Sequence, residues 1–152
     1  MMISESNKIR LKNLAGILQE DIHLVPEASG RSEKGTLSWY TEEYLINLGM
    51  IVINNLDKSI IAKGGKLSIN QPDTKMQENS FSTKLIAENA GKKIIFVLSF
   101  LVNFSENSNT SASIYQNGLI EKFNLNSKHS ISDINLFSNE IINYISNLLN
   151  IK

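Results

Sequence analysis

Cysteine is absent from this chain, and that absence removes disulfides, thiolate zinc sites, iron–sulfur clusters and cysteine nucleophiles together. Charge of one sign is also missing: 15 basic residues balance 15 acidic ones, and arginine occurs only at Arg10 and Arg31. Phosphate backbones are bound by a concentrated excess of Lys and Arg, so nucleic acid is not the expected partner. The two histidines, His23 and His129, have no second ligand at a metal spacing such as i+4, and no metal or cofactor is expected. Long hydrophobic runs are lacking as well. Residues 94–102 form the longest, far short of the roughly 20 that span a bilayer, and the polar N-terminus has no signal-peptide core. These absences predict a cytoplasmic protein without a membrane partner.

The usual signatures of catalysis are missing too. No Gly-x-Ser-x-Gly elbow, phosphate-cradling loop or dinucleotide fingerprint occurs, and Gly64-Gly65-Lys66 is too short to form one. Glu20 with Asp21, and Glu42 with Glu43, are adjacent carboxylates. Neighbouring positions on a helix or strand do not converge on one point, so a solvated face is expected for both pairs. The sequence therefore points away from an enzyme.

What is present is a strong β pattern. From Lys92 to Phe104 the residues Ile94, Phe96, Leu98, Phe100, Val102 and Phe104 occupy alternate positions, which a pleated strand places on one face. At about 3.3 Å per residue such a strand is roughly 43 Å long. Residues 81–87 precede it across an Asn89-Ala90-Gly91 hairpin turn, and residues 111–125 follow across a polar turn. Gly118 inside the third strand predicts a bulge or a close backbone approach. Beyond a polar connection, Ile134, Phe137, Ile141, Ile145 and Leu148 recur at helical spacing. They are widened by Tyr144 and Leu149, with Asn139, Asn143, Ser146, Asn147 and Asn150 opposite and Ser132 or Asp133 as the cap. Asparagine is a poor helix former, so packing must hold this helix.

The first 80 residues are less legible. Residues 8–24 fit either strand or helix, and residues 26–35 read as a loop. Leu37, Tyr40, Tyr44, Leu48 and Ile51 form a helical stripe with Thr36 or Ser38 as its cap and Glu42 and Glu43 in an early turn; Trp39 and Tyr40 are expected to pack at a core or edge. Gly49 predicts a break, after which residues 50–53 look strand-like. A short apolar–polar segment, 66–70, follows the Gly64-Gly65 turn, and residues 71–80 read as a loop. The overall expectation is a single α+β domain over 1–152. It comprises an irregular part with a possible helix over 1–80, an antiparallel β-meander over 81–125, and a covering C-terminal α-helix over 133–151.

The long strand is apolar on its second face as well, through Ile95, Val97 and Leu101, with Ser99 and Asn103 between. A sheet face open to water should be polar. The cover is the segment 37–53, a second subunit or a client polypeptide.

The pieces 93–100, then 115–120, then Leu136-Phe137 leading into 141–146, resemble the SecB-like export-chaperone family over about half the chain. That family has a long antiparallel meander, a strand carrying polar residues and glycine, a polar connection and a long helix. The resemblance implies a holdase for unfolded polypeptides, assembled as a dimer of dimers, or a relative dedicated to one partner, with no catalysis and no cofactor. This chain departs from the family in the roughly 80 residues before the meander and in its neutral charge. The expected function is binding of polypeptide through apolar sheet surface, with Ile95, Val97, Leu101 and Tyr115 as contact residues. The alternative is an inhibitor or immunity-type protein of a phage or bacterial conflict system that binds one protein partner.

Overall fold

The computed structural model describes residues 28–77, 79–103, 109–125 and 131–149. The expectations for residues 8–24, for the turn at 105–108 and for the connection at 126–130 lie outside that range, as do Phe104, Asn150, His23, His129 and the Glu20–Asp21 pair.

A long helix, α1, opens the described chain at Leu37–Ala62. Thr36 is its N-cap, the Oγ1 accepting a hydrogen bond from the Trp39 amide at 3.1 Å, so of the two cap candidates Ser38 lies inside the helix. Twenty-six residues at 1.5 Å each make α1 about 39 Å long. The expected break at Gly49 does not occur. A Cβ there would lie 2.8 Å from the Phe81 ring and 3.4 Å from the Phe100 ring, so Gly49 marks a point where the helix approaches the sheet too closely for a larger side chain. Residues 50–53 continue the helix because it is enclosed on more than one side. Met50, Val52 and Ile53 are buried together with Tyr44, Leu45 and Leu48, and a helix apolar nearly all round is a core helix. Among the described residues α1 alone is long and apolar enough to cross a membrane, and 67% of that apolar window is buried within the fold.

Five strands follow: β1 Lys66–Gln77, β2 Ser80–Asn89, β3 Lys92–Asn103, β4 Asn109–Tyr115 and β5 Leu119–Leu125. They form one open antiparallel sheet in chain order. Two boundaries differ from expectation. Residues 71–77 belong to β1, because Pro72 sits where the register shifts between Asn70 and Lys75 on an edge strand, a place that tolerates a missing amide. Residues 111–125 are two strands, because Asn117 (φ 56°) and Gly118 (φ 124°) turn the chain back. The β2–β3 turn is as expected, with Asn89 opposite Lys92 and both Ala90 (φ 50°) and Gly91 (φ 83°) left-handed.

Phe81, Thr83, Leu85 and Ala87 of β2 and Phe96, Leu98, Phe100 and Val102 of β3 form a buried inner face. Phe81 and Phe100 stack at 6.4 Å. Both helices lie on that face. α1 packs across β1, β2 and β3, while the second helix, α2 at Ile131–Leu148, packs on β5 and on α1. The chain thus has the α+β fold expected, with the C-terminal helix on an antiparallel sheet. α2 starts at Ile131, which places Ser132 and Asp133 in its first turn rather than at the cap. Ile134, Phe137, Ile141 and Ile145 are buried as their spacing predicts, and Tyr144 meets Phe123 edge-on at 5.9 Å. Ser146, expected outside, is buried along with Ser138, since α2 is flanked by α1 as well as by the sheet.

Candidate functional site

Because α1 and α2 share the inner face, the segment 37–53 does not cover the second face of the sheet. The physical reason lies in the two faces of β3. Inward it offers Phe96, Leu98, Phe100 and Val102 without interruption, whereas outward Ser99 and Asn103 break the apolar series. The stripe on α1 buries more apolar surface against the continuous side.

The register sets out what the outer face carries. Ile86 lies opposite Ile95, and Lys84 opposite Val97, which in turn lies opposite Tyr115; Tyr115 pairs with Leu119 across the β4–β5 turn. The next row is Ser82, Ser99, Ser113 and Lys122. Beyond it Leu101 sits between Ser80 and Ser111. Among the described residues Ile95 is 46% exposed, Tyr115 38%, Leu119 58% and Leu101 41%, so no element covers them. Val97 is half-buried between its neighbours.

Three of the four residues expected as contacts therefore come together and one does not. Ile95, Val97 and Tyr115 adjoin in a groove of about 600 Å³, also lined by Lys84, Phe96, Gln116 and Asn117. Leu101 is six residues along β3 from Ile95, roughly 20 Å away, with serine on both sides. Ile86, Leu119 and Gln116 were not among the expected contacts. Ile86 joins the cluster only through the strand pairing, which sets it against Ile95.

At the far side of the fold, Glu42 is buried, not solvated. Its carboxylate accepts from the Ser32 amide at 2.7 Å and from the Ser32 hydroxyl, and the Arg31 Nε lies 3.5 Å away. The same guanidinium donates to Glu43 at 2.9 Å and stands 5.6 Å from the Trp39 ring centroid. This cluster ties the segment before α1 to the helix. Both oxygens of Glu42 are engaged by that segment, which they fasten to the helix. Trp39 and Tyr40 are half-buried and meet edge-on at 5.1 Å, as edge packing predicts.

A second depression of about 500 Å³ lies where the C-terminal end of α1 meets the β2–β3 turn, lined by Gly64 to Lys66 and Glu88 to Lys93. Lys66 and Lys93 lie across from Glu88 on the neighbouring strands and Lys92 lines the depression beside them; the Lys93–Glu88 pair is 4.0 Å apart and exposed. Among the described residues no group of His, Asp and Glu is arranged to hold a metal ion.

The described residues thus define a class: an α+β protein with two helices on one face of an antiparallel meander and a partly apolar opposite face that no described element covers. Comparison of the chain with protein-family models, with curated proteins and with solved structures finds no match. The likeness to SecB-like chaperones rests on the residue pattern alone.

Proposed function

We propose that the protein binds polypeptide through the outer face of its sheet, as a chaperone dedicated to a partner or a narrow set of clients, without catalysis or cofactor. The observation that carries this reading is the apolar cluster of Ile86, Ile95, Val97, Tyr115 and Leu119 on a face that no described element covers. Exposed apolar surface gathered in one place, beside a groove and rimmed by lysine, is the signature of an interaction site. The serine rows that isolate Leu101 confine the cluster to one end of the face. That confinement favours one extended segment of a partner over the broad apolar surface a general holdase requires. The same feature keeps open the second reading, an inhibitor or immunity-type protein with a single partner.

The test is aggregation of an unfolding client protein, followed by light scattering, with wild-type protein and with the Ile95→Ser/Tyr115→Ser variant. Suppression at near-stoichiometric amounts by the wild type, lost in the variant at unchanged thermal stability, is expected for a chaperone. No suppression by the wild type would leave the single-partner binder as the account of this face. Suppression undiminished in the variant would remove the outer face from the function altogether.

A further inference from the structure

Resting on the polypeptide-binding reading, we infer that the site works by strand addition: an extended polypeptide pairs with the edge of β3 that no described strand occupies, at Lys93 and Ile95, placing an apolar side chain against Ile95 and Tyr115 and a carboxylate against Lys93.

The sheet is notched. β3 runs from Lys92 to Asn103, but β4 stops at Tyr115, opposite Val97, so residues 92–96 have no strand on that side among the described residues. That edge is about 17 Å long. The direction of the backbone groups follows from the pleat. The Val102 amide donates to the Asn79 carbonyl at 3.0 Å on the β2 side, so even-numbered residues of β3 point toward β2. Lys93 and Ile95 therefore direct their N–H and C=O groups into the notch. A side chain confirms the direction: the Gln116 Nε2 donates to the Ile95 carbonyl at 3.2 Å, standing where the amide of an added strand would stand.

The same residues turn their side chains to the outer face, beside the groove that Tyr115 and Gln116 close. An added strand thus gains backbone hydrogen bonds along its length and an apolar pocket at alternate positions, the two elements of β-augmentation. Charge selects among polypeptides. Lys84 and Lys93 lie on the outer face beside the notch, 3.9 Å from Asp73 and 4.0 Å from Glu88, both pairs exposed, while Lys92, on the other side of the pleat, adds a third positive charge at its end. The excess is positive, so an acidic residue two positions from the apolar one fits, apolar opposite Ile95 and acidic opposite Lys93. A second copy of β3 filling the notch would set Lys93 opposite Ile95 in both directions, leaving each Lys93 without a carboxylate across from it. A nucleic acid strand lacks the alternating N–H and C=O groups that the edge requires.

The test uses the full chain and a fluorescein-labelled peptide, acetyl-Ser-Thr-Val-Thr-Glu-Thr-Ser-amide, read by fluorescence anisotropy. Two comparison peptides carry either Lys in place of Glu or N-methyl groups on the Val and Glu amides, which would face β3. The parent peptide should bind and slow exchange of the Lys93 and Ile95 amides at least about tenfold, since those N–H groups become hydrogen-bonded. The Lys peptide should bind about three- to tenfold more weakly, and the N-methylated peptide more than about tenfold more weakly through two lost hydrogen bonds. Gln116→Ala removes an internal competitor for the Ile95 carbonyl and should tighten the parent peptide about threefold.

Equal affinity for the N-methylated peptide would overturn strand addition while leaving binding by the outer face intact. So would failure of the peptide to bind either wild type or Gln116→Ala when an unfolding client is still held. Failure of both the peptide and the client assay would remove the underlying reading as well. A dimer in sedimentation whose Lys93 and Ile95 amides are already protected would put a second copy in the notch and refute the proposal.

Discussion

Replacing Gly49 by alanine sets two opposed effects against each other at one position. In the interior of a helix, Gly→Ala stabilises by about 1 kcal/mol through backbone entropy. Here the added Cβ would meet the Phe81 ring at 2.8 and 3.1 Å and the Phe100 ring at 3.4 Å. Neither ring has room to yield, since both are fully buried and stacked on each other. Overpacking of this kind costs about 1–3 kcal/mol. The net expectation is destabilisation of about 1 kcal/mol, lowering Tm by roughly 2–4 °C for a chain of this size. Urea unfolding followed by circular dichroism measures it directly. The decisive comparison is the same substitution in a Phe81→Leu background, where the shorter side chain makes room. There Gly49→Ala should stabilise by up to about 1 kcal/mol, a coupling of about 2 kcal/mol between the sites. Stabilisation by Gly49→Ala in the wild-type background would refute the reasoning, because it would mean the glycine is a defect in α1 and not a point of contact.

Adjacent residues of β3 should respond in opposite ways. Phe96→Ala, at 1% exposure, is expected to cost about 3–5 kcal/mol in chemical denaturation, whereas Ile95→Ser, at 46%, should stay within about 1 kcal/mol. Glu42→Ala leaves the Ser32 amide and hydroxyl without their acceptor and Arg31 with Glu43 alone, and should cost about 1–3 kcal/mol, with faster proteolysis of the segment 28–36 as a local readout. Ala90→Gly relieves a left-handed alanine in the β2–β3 turn and should raise stability by about 1 kcal/mol, visible as a higher Tm.

Local pattern carried the parts of this fold that depend on near neighbours. The alternation along 94–102 identified β3 and its inner face, and Asn89-Ala90-Gly91 identified the turn before it. The spacing of Ile134, Phe137, Ile141 and Ile145 identified α2, because each of these signals is a period of side chains along one element. Where a residue's meaning depends on what lies across from it, the pattern misled. Gly49 read as a break because its partner, the Phe81 ring, is 32 positions further along the chain. Glu42 read as solvated because Ser32 and Arg31 approach it from a separate segment.

The candidate site divides in the same way. Sequence alone determined that Ile95, Val97 and Leu101 share the second face of β3, since the pleat alternates with a period of two whatever surrounds it. Only the tertiary structure decided that both helices choose the opposite face, through the larger apolar area they bury there. The register, a property of strand pairs and of no single strand, then set Tyr115 and Leu119 beside Val97 and left Leu101 among serines. The notch beside Lys93 and Ile95 arises from the mismatch between a twelve-residue β3 and a seven-residue β4, a difference that acquires meaning only when the two are laid side by side.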